Sequence, residues 1–148
     1  MKPKIFFLVV MSSCSSCVAS AQTYGSLYDI DKILGCYGLQ EYEWEGSETS
    51  VKDARALPEW IRLVASSPLP PRPQSAYDIE YENNLHRMTF DYWTYDGKTV
   101  RLEKFAGIGL SSELELDSSG NLQGVAIYVS DHLKGTARSD IRYLKIDC

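Results

Sequence analysis

Apolar and polar positions alternate along most of the chain, and the alternation breaks at short turn-forming segments. This is the pattern of strands buried on one face. Between 36 and 45, Cys36, Gln40, Tyr42 and Trp44 share one side of a strand, and Glu41, Glu43 and Glu45 share the other. Further on, Tyr77, Ile79 and Tyr81 alternate with Asp78, Glu80 and Glu82, and Met88, Phe90 and Tyr92 alternate with Arg87, Thr89, Asp91 and Trp93. Asp96-Gly97 predicts a hairpin turn, after which Val100 and Leu102 point inward and Arg101 and Glu103 outward. Leu114 and Leu116 alternate with Glu113, Glu115 and Asp117, and a turn over Ser118–Asn121 leads into a strand on which Val125, Ile127 and Val129 form one face. In the last strand Leu144, Ile146 and Cys148 share a side, so Cys148 is expected to point inward with Cys36.

Two stretches read as helices. Ser26 can cap a short one, with Asp29 in the reciprocal position, Leu27, Ile30, Ile33 and Leu34 on one face, and Gly35 as its stop. The spacing of Leu57, Trp60, Ile61 and Val64 predicts a longer one, with Pro58 in its first turn. Gly46 to Ser50 reads as a loop, and the proline-rich stretch from Ser66 to Ser75 as a stiff connector. The fold class is therefore mainly β, an antiparallel barrel or sandwich of about seven to eight strands with one or two short helices. A short helix followed by Leu34-Gly35-Cys36-Tyr37 resembles the opening of lipocalin-like barrels, in which a Gly-x-Trp begins the first strand; Tyr37 stands here at the Trp position. The resemblance implies barrel closure.

The first 21 residues set the context for the rest. Lys2 and Lys4 precede the apolar run from Ile5 to Met11, and Ala19-Ser20-Ala21 places small residues where a signal peptidase reads them. A signal peptide over 1–21 and a single β-rich domain over 22–148, starting at Gln22, are expected. The apolar run is far shorter than the roughly 20 residues that cross a bilayer, so no transmembrane segment is expected. Cleavage leaves Cys36 and Cys148 of the four cysteines, a pair that an oxidising compartment would join. A lipoprotein acylated at Cys14 or Cys17 is the alternative destination. Against 20 acidic residues there are 15 basic ones, and loss of Lys2 and Lys4 takes the formal charge from −5 to −7. That balance argues against nucleic acid or an anionic membrane surface as partner and fits a cationic protein.

Candidate chemistry is sparse. The two histidines, His86 and His132, fall near strand ends, and no serine sits in a Gly-x-Ser-x-Gly elbow. Neither a metal site nor a cofactor is expected, because the domain lacks Cys-x-x-Cys, a histidine pair and an EF-hand pattern. Asp117-Ser118-Ser119-Gly120-Asn121 reads as a hairpin turn, and Gly107 and Gly109 as a bend or bulge. Three acidic ladders, Glu41/Glu43/Glu45, Asp78/Glu80/Glu82 and Glu113/Glu115/Asp117, read as solvated strand faces paired with Arg87, Arg101 or Arg142. Ten tyrosines and three tryptophans are available as core or as interface anchors.

These features point to an exported, non-enzymatic binding protein of the bacterial envelope, periplasmic or secreted. It is expected to dock on another protein, of the inhibitor or immunity type. Asp91, Trp93 and Tyr95, read as facing outward, and Glu41, Glu43 and Glu45 are the candidate binding residues. A lipocalin-like carrier of a small apolar ligand and a hydrolase using a carboxylate pair stand as alternatives.

Overall fold

A computed structural model describes residues 29–54, 56–66, 75–81, 88–104, 109–130 and 135–148. The expected signal peptide with Cys14 and Cys17, Ser26 and Leu27, the centre of the proline-rich stretch, Glu82, His86, Arg87, Gly107 and His132 lie outside the described residues. No helix among the described residues is long and apolar enough to cross a membrane.

The described strands are β1 (Gly35–Leu39), β2 (Glu45–Gly46), β3 (Trp60–Leu63), β4 (Ile79–Tyr81), β5 (Tyr92–Tyr95), β6 (Thr99–Glu103), β7 (Gly109–Leu116), β8 (Leu122–Ser130) and β9 (Gly135–Ile146). They form one antiparallel sheet in the order β4-β3-β1-β9-β8-β7-β6-β5, with β2 also paired to β9. The four strands β6 to β9 follow one another through hairpins, which keeps their pairing local in sequence. β5 joins them through the β5–β6 turn, where Gly97 takes φ +96° and the Asp96 carboxylate accepts from the backbone N–H of Lys98 and Thr99 at 3.1 and 2.8 Å.

The sheet curls until its two ends nearly meet. Tyr77, just before β4, and Trp93 of β5 exchange two backbone hydrogen bonds of 2.8 and 3.0 Å. The Trp93 indole N–H adds bonds to the carbonyls of Val64 and Asp78 at 3.1 and 2.9 Å, and its ring packs on Tyr77 with centroids 4.7 Å apart. The curl is sharp at β8, where a Cβ on Gly124 would lie 2.0 Å from the Glu113 carbonyl oxygen. Only glycine permits that approach.

Inside, Trp93, Tyr37, Tyr143, Phe90, Leu102 and Leu114 are fully buried among smaller aliphatic side chains. Val100 and Leu102 point inward as expected, and Leu116 packs against the core from its edge. Several expectations change. Leu57, Trp60, Ile61 and Val64 do not form a helix: residues 60–63 are strand β3, with Ile61 and Leu63 buried. Pairing with β1 on one side and β4 on the other satisfies its backbone along both edges, which a short helix there could not match. A helix forms instead at Glu48–Asp53, within and beyond the expected loop, with Ser47 accepting from the Ser50 N–H at its start. Of the first expected helix, the described residues form a 3-10 turn over Ile30–Lys32. The side presented to the core also switches between Leu39 and Tyr42: Tyr37 faces inward on β1, whereas Tyr42 and Trp44 pack against the core from a segment outside the strands.

Cys36 and Cys148 form a disulfide, as expected from the pair left after cleavage. Its geometry differs from the expectation. Ala137, Ser139, Ile141 and Tyr143 are the buried residues of β9, while Ile146 is 40% exposed and Cys148 is exposed; Cys36 alone of the pair is buried. The odd-numbered positions of β9 won the core because Ala137, Ser139, Ile141 and Tyr143 continue inward rows set by β8. Lys145 reinforces the same end. Its ammonium sits 4.6 Å over the Tyr37 ring and donates to the Leu34 carbonyl and to the Tyr37 hydroxyl. Burial lowers the Lys145 pKa and pushes Tyr37 up to about 12.

Two outcomes follow for stability. Trp93→Phe keeps the aromatic bulk but removes the indole donor from the carbonyls of Val64 and Asp78, the second of which still accepts from the Val64 N–H at 3.3 Å, and is expected to cost about 1–3 kcal/mol in urea unfolding. Reduction of Cys36–Cys148, which are 112 residues apart in sequence, is expected to lower unfolding free energy by about 4–5 kcal/mol, read as a shift of the denaturant midpoint with and without reductant.

Candidate functional site

The site begins with a strand that is apolar on both faces. Leu122, Ala126 and Tyr128 of β8 are buried inside. Val125 and Ile127 are half-buried on the outside, and Val129 there is 41% exposed. Inward rows explain the choice: Leu110, Tyr128 and Ala137 lie abreast, as do Ser112, Ala126 and Ser139, so large and small side chains interleave. A one-residue slip would exchange the two faces.

Register then fixes what surrounds the outer aliphatic column. Arg101, Glu113, Val125 and Asp140 lie abreast across β6 to β9. The next row is Glu103, Ser111, Ile127, Arg138 and, across β2, Glu45. The row toward the Asp117 turn is Thr99, Glu115, Gln123 and Arg142. The result is a ridge of β-branched side chains rimmed by charge.

Two of the depressions on this face are rimmed mainly by carboxylates. One of about 620 Å³ is lined by Glu41, Glu113, Glu115, Gln123, Asp140 and Arg142, among others. The other, about 460 Å³, is lined by Glu43, Glu45, Arg138, Ser139 and Asp140. Asp140 belongs to both. Some of the charges are matched: Arg101 Nε lies 3.3 Å from Glu113, Lys98 Nζ 2.9 Å from Glu115, and Arg142 3.1 Å from Asp117. Glu41, Glu43, Glu45 and Asp140 make no ion pair with any described residue.

The structure divides the six candidate binding residues. Glu41, Glu43 and Glu45 are exposed and come together with Asp140 around the two depressions. Asp91, Trp93 and Tyr95 belong to the barrel seam. Trp93 does not face outward: it is fully buried and closes the barrel. Tyr95 packs against the core and its hydroxyl donates to the Gly97 carbonyl at 2.8 Å, while Asp91 is half-buried with Lys104 at 3.9 Å. The reading failed because Phe90 and Trp93, three residues apart, are both inside; strict alternation breaks between them.

Sequence reasoning passed over Val125, Ile127 and Val129 as an outer surface. The signal was present in Leu-Gln-Gly-Val-Ala-Ile-Tyr-Val, where both faces of one strand carry apolar residues although a barrel this size buries only one. Among the described residues, no group of three or more His, Cys, Asp or Glu is placed to hold a metal ion. The loop from Asp117 to Asn121 is a hairpin turn, with one Asp117 oxygen accepting from the N–H of Ser119 and Asn121. Comparison with protein-family models, curated proteins and solved structures finds no match.

The Asp117 turn sets a pH response. Hydrogen bonds from the Asn121 side chain and backbone, then from Ser119 and Arg142, lower its pKa to about 2. A carboxylate with a depressed folded pKa adds stability above the ordinary Asp range and loses it as pH falls toward the folded value. Asp117→Asn is therefore expected to flatten the acid limb of the stability curve between about pH 4 and pH 2, measured by urea unfolding at stepped pH.

Proposed function

We propose that the chain is an exported, non-enzymatic binding protein of the bacterial envelope that docks on another protein through the outer face of β7, β8 and β9, in the manner of an inhibitor or immunity factor. The observation that carries this reading is the Val125–Ile127–Val129 column, an aliphatic surface held outward by a sheet whose interior is already filled. Apolar patches rimmed by polar groups are the common form of protein interaction sites. Val125 and Ile127 are already half-buried and Val129 is 41% exposed, so covering the column contributes less than the roughly 1.5–3 kcal/mol per side chain of a fully exposed residue. The rigid sheet keeps the ordering cost of docking low. The disulfide fits an oxidising compartment, and the leader supports delivery there to the periplasm or beyond.

Two measurements test the reading. Tagged protein incubated with envelope extract is expected to retain one protein, and Ile127→Asp to reduce its recovery tenfold or more while leaving the circular dichroism unchanged. Equal recovery by both forms, or no retained protein, overturns it. The mass of the natural product is expected to correspond to a chain starting at Gln22 with an oxidised Cys36–Cys148 pair. Retained Met1, or an acyl group on Cys14 or Cys17, replaces that destination with another.

A further inference from the structure

We infer that the segment seated on this face is basic, with aliphatic side chains against Val125, Ile127 and Val129 and lysine or arginine side chains over Asp140 and the Glu41–Glu43–Glu45 edge. The inference rests on the docking reading and adds the chemistry of the partner. It follows from the placement of charge. The two depressions are lined by six carboxylates, those of Glu41, Glu43, Glu45, Glu113, Glu115 and Asp140, and by the guanidinium groups of Arg138 and Arg142; Glu113 and Glu115 are matched by Arg101 and Lys98, which leaves four carboxylates beside Arg138. Arg142 is committed to Asp117, whereas Asp140 and the three glutamates of the 41–45 segment have no ion-pair partner among the described residues.

Asp140 stands directly beside Val125, and Glu45 lies one strand beyond Ile127, across Arg138. A partner that covers the aliphatic column therefore strips water from these carboxylates as well. Desolvating an unpaired carboxylate opposes binding, and a cation brought in by the partner removes the opposition. An acidic partner would place like charges together. A second copy of this chain would face the same carboxylates with its own. The spacing of the column at every second residue of β8 matches an extended segment, whose alternate side chains reach one surface.

The test uses the oxidised protein and fluorescein-labelled peptides of alternating Lys and Val, or of alternating Glu and Val. The Lys-Val peptide is expected to bind and the Glu-Val peptide not to. Joint Glu41→Gln, Glu43→Gln, Glu45→Gln and Asp140→Asn changes are expected to weaken Lys-Val binding about tenfold or more. Raising salt from 0.1 M to 1 M, which shortens the screening length from about 10 Å to about 3 Å, is expected to do the same. A control of equal charge change, Asp31→Asn, Glu48→Gln, Glu59→Gln and Asp147→Asn, is expected to have a small effect. Equal losses in the two quadruple variants overturn the inference, as does binding of the Glu-Val peptide. If Ile127→Asp abolishes capture of the extract protein while the Asp140 quadruple variant keeps it, the docking face stands and the basic partner falls.

Discussion

The barrel is held shut at a narrow seam, where Tyr77 and Trp93 exchange two backbone hydrogen bonds and the indole N–H reaches the carbonyls of Val64 and Asp78. A sheet with open ends leaves rows of unpaired N–H and C=O groups, and this bridge pairs those of Tyr77 and Trp93 where the two ends nearly meet. Here one large side chain does much of the joining. Its ring fills the interior while its single polar atom serves the two carbonyls at the junction, so burial and hydrogen bonding reinforce each other.

The outer face of β7 to β9 is the proposed docking surface. Its aliphatic column is there because Leu122, Ala126 and Tyr128 fit the interior rows and Val125, Ile127 and Val129 on the same strand face the other way. Its charge is there because β2 and the preceding segment lay three glutamates beside β9. Neither feature contributes to closure. A rigid barrel that carries an apolar ridge between carboxylates is suited to recognition, where preorganised surface matters more than area.

The C-terminal strand ties the two halves of this design together. β9 pairs with β1, β2 and β8, and Cys148, two residues beyond it, is bridged to Cys36. The same strand supplies Ile141 and Tyr143 to the core and Arg138, Asp140 and Arg142 to the outer face. Lys145 anchors it to the start of β1 through the Leu34 carbonyl and the Tyr37 ring. Loss of the bridge therefore bears on the proposed docking surface through β9, which carries part of it.

Read by itself, the sequence determined the fold class, the Asp96-Gly97 hairpin, the Asp117 turn, the pairing of Cys36 with Cys148 and the exposure of Glu41, Glu43 and Glu45. These depend on local alternation, on turn chemistry and on counting thiols, all of which are short-range or arithmetical. Tertiary structure alone decided which face of a doubly apolar strand went inside, that residues 60–63 are a strand, and that Trp93 is a closing residue and not an exposed anchor. In each case two periodicities or two faces were locally equivalent. The choice fell to partners distant in sequence: β1 and β4 for Ile61, Tyr77 and Val64 for Trp93, and the rows from β7 and β9 for Tyr128. Long-range pairing fills one interior, and whatever does not fit it becomes surface.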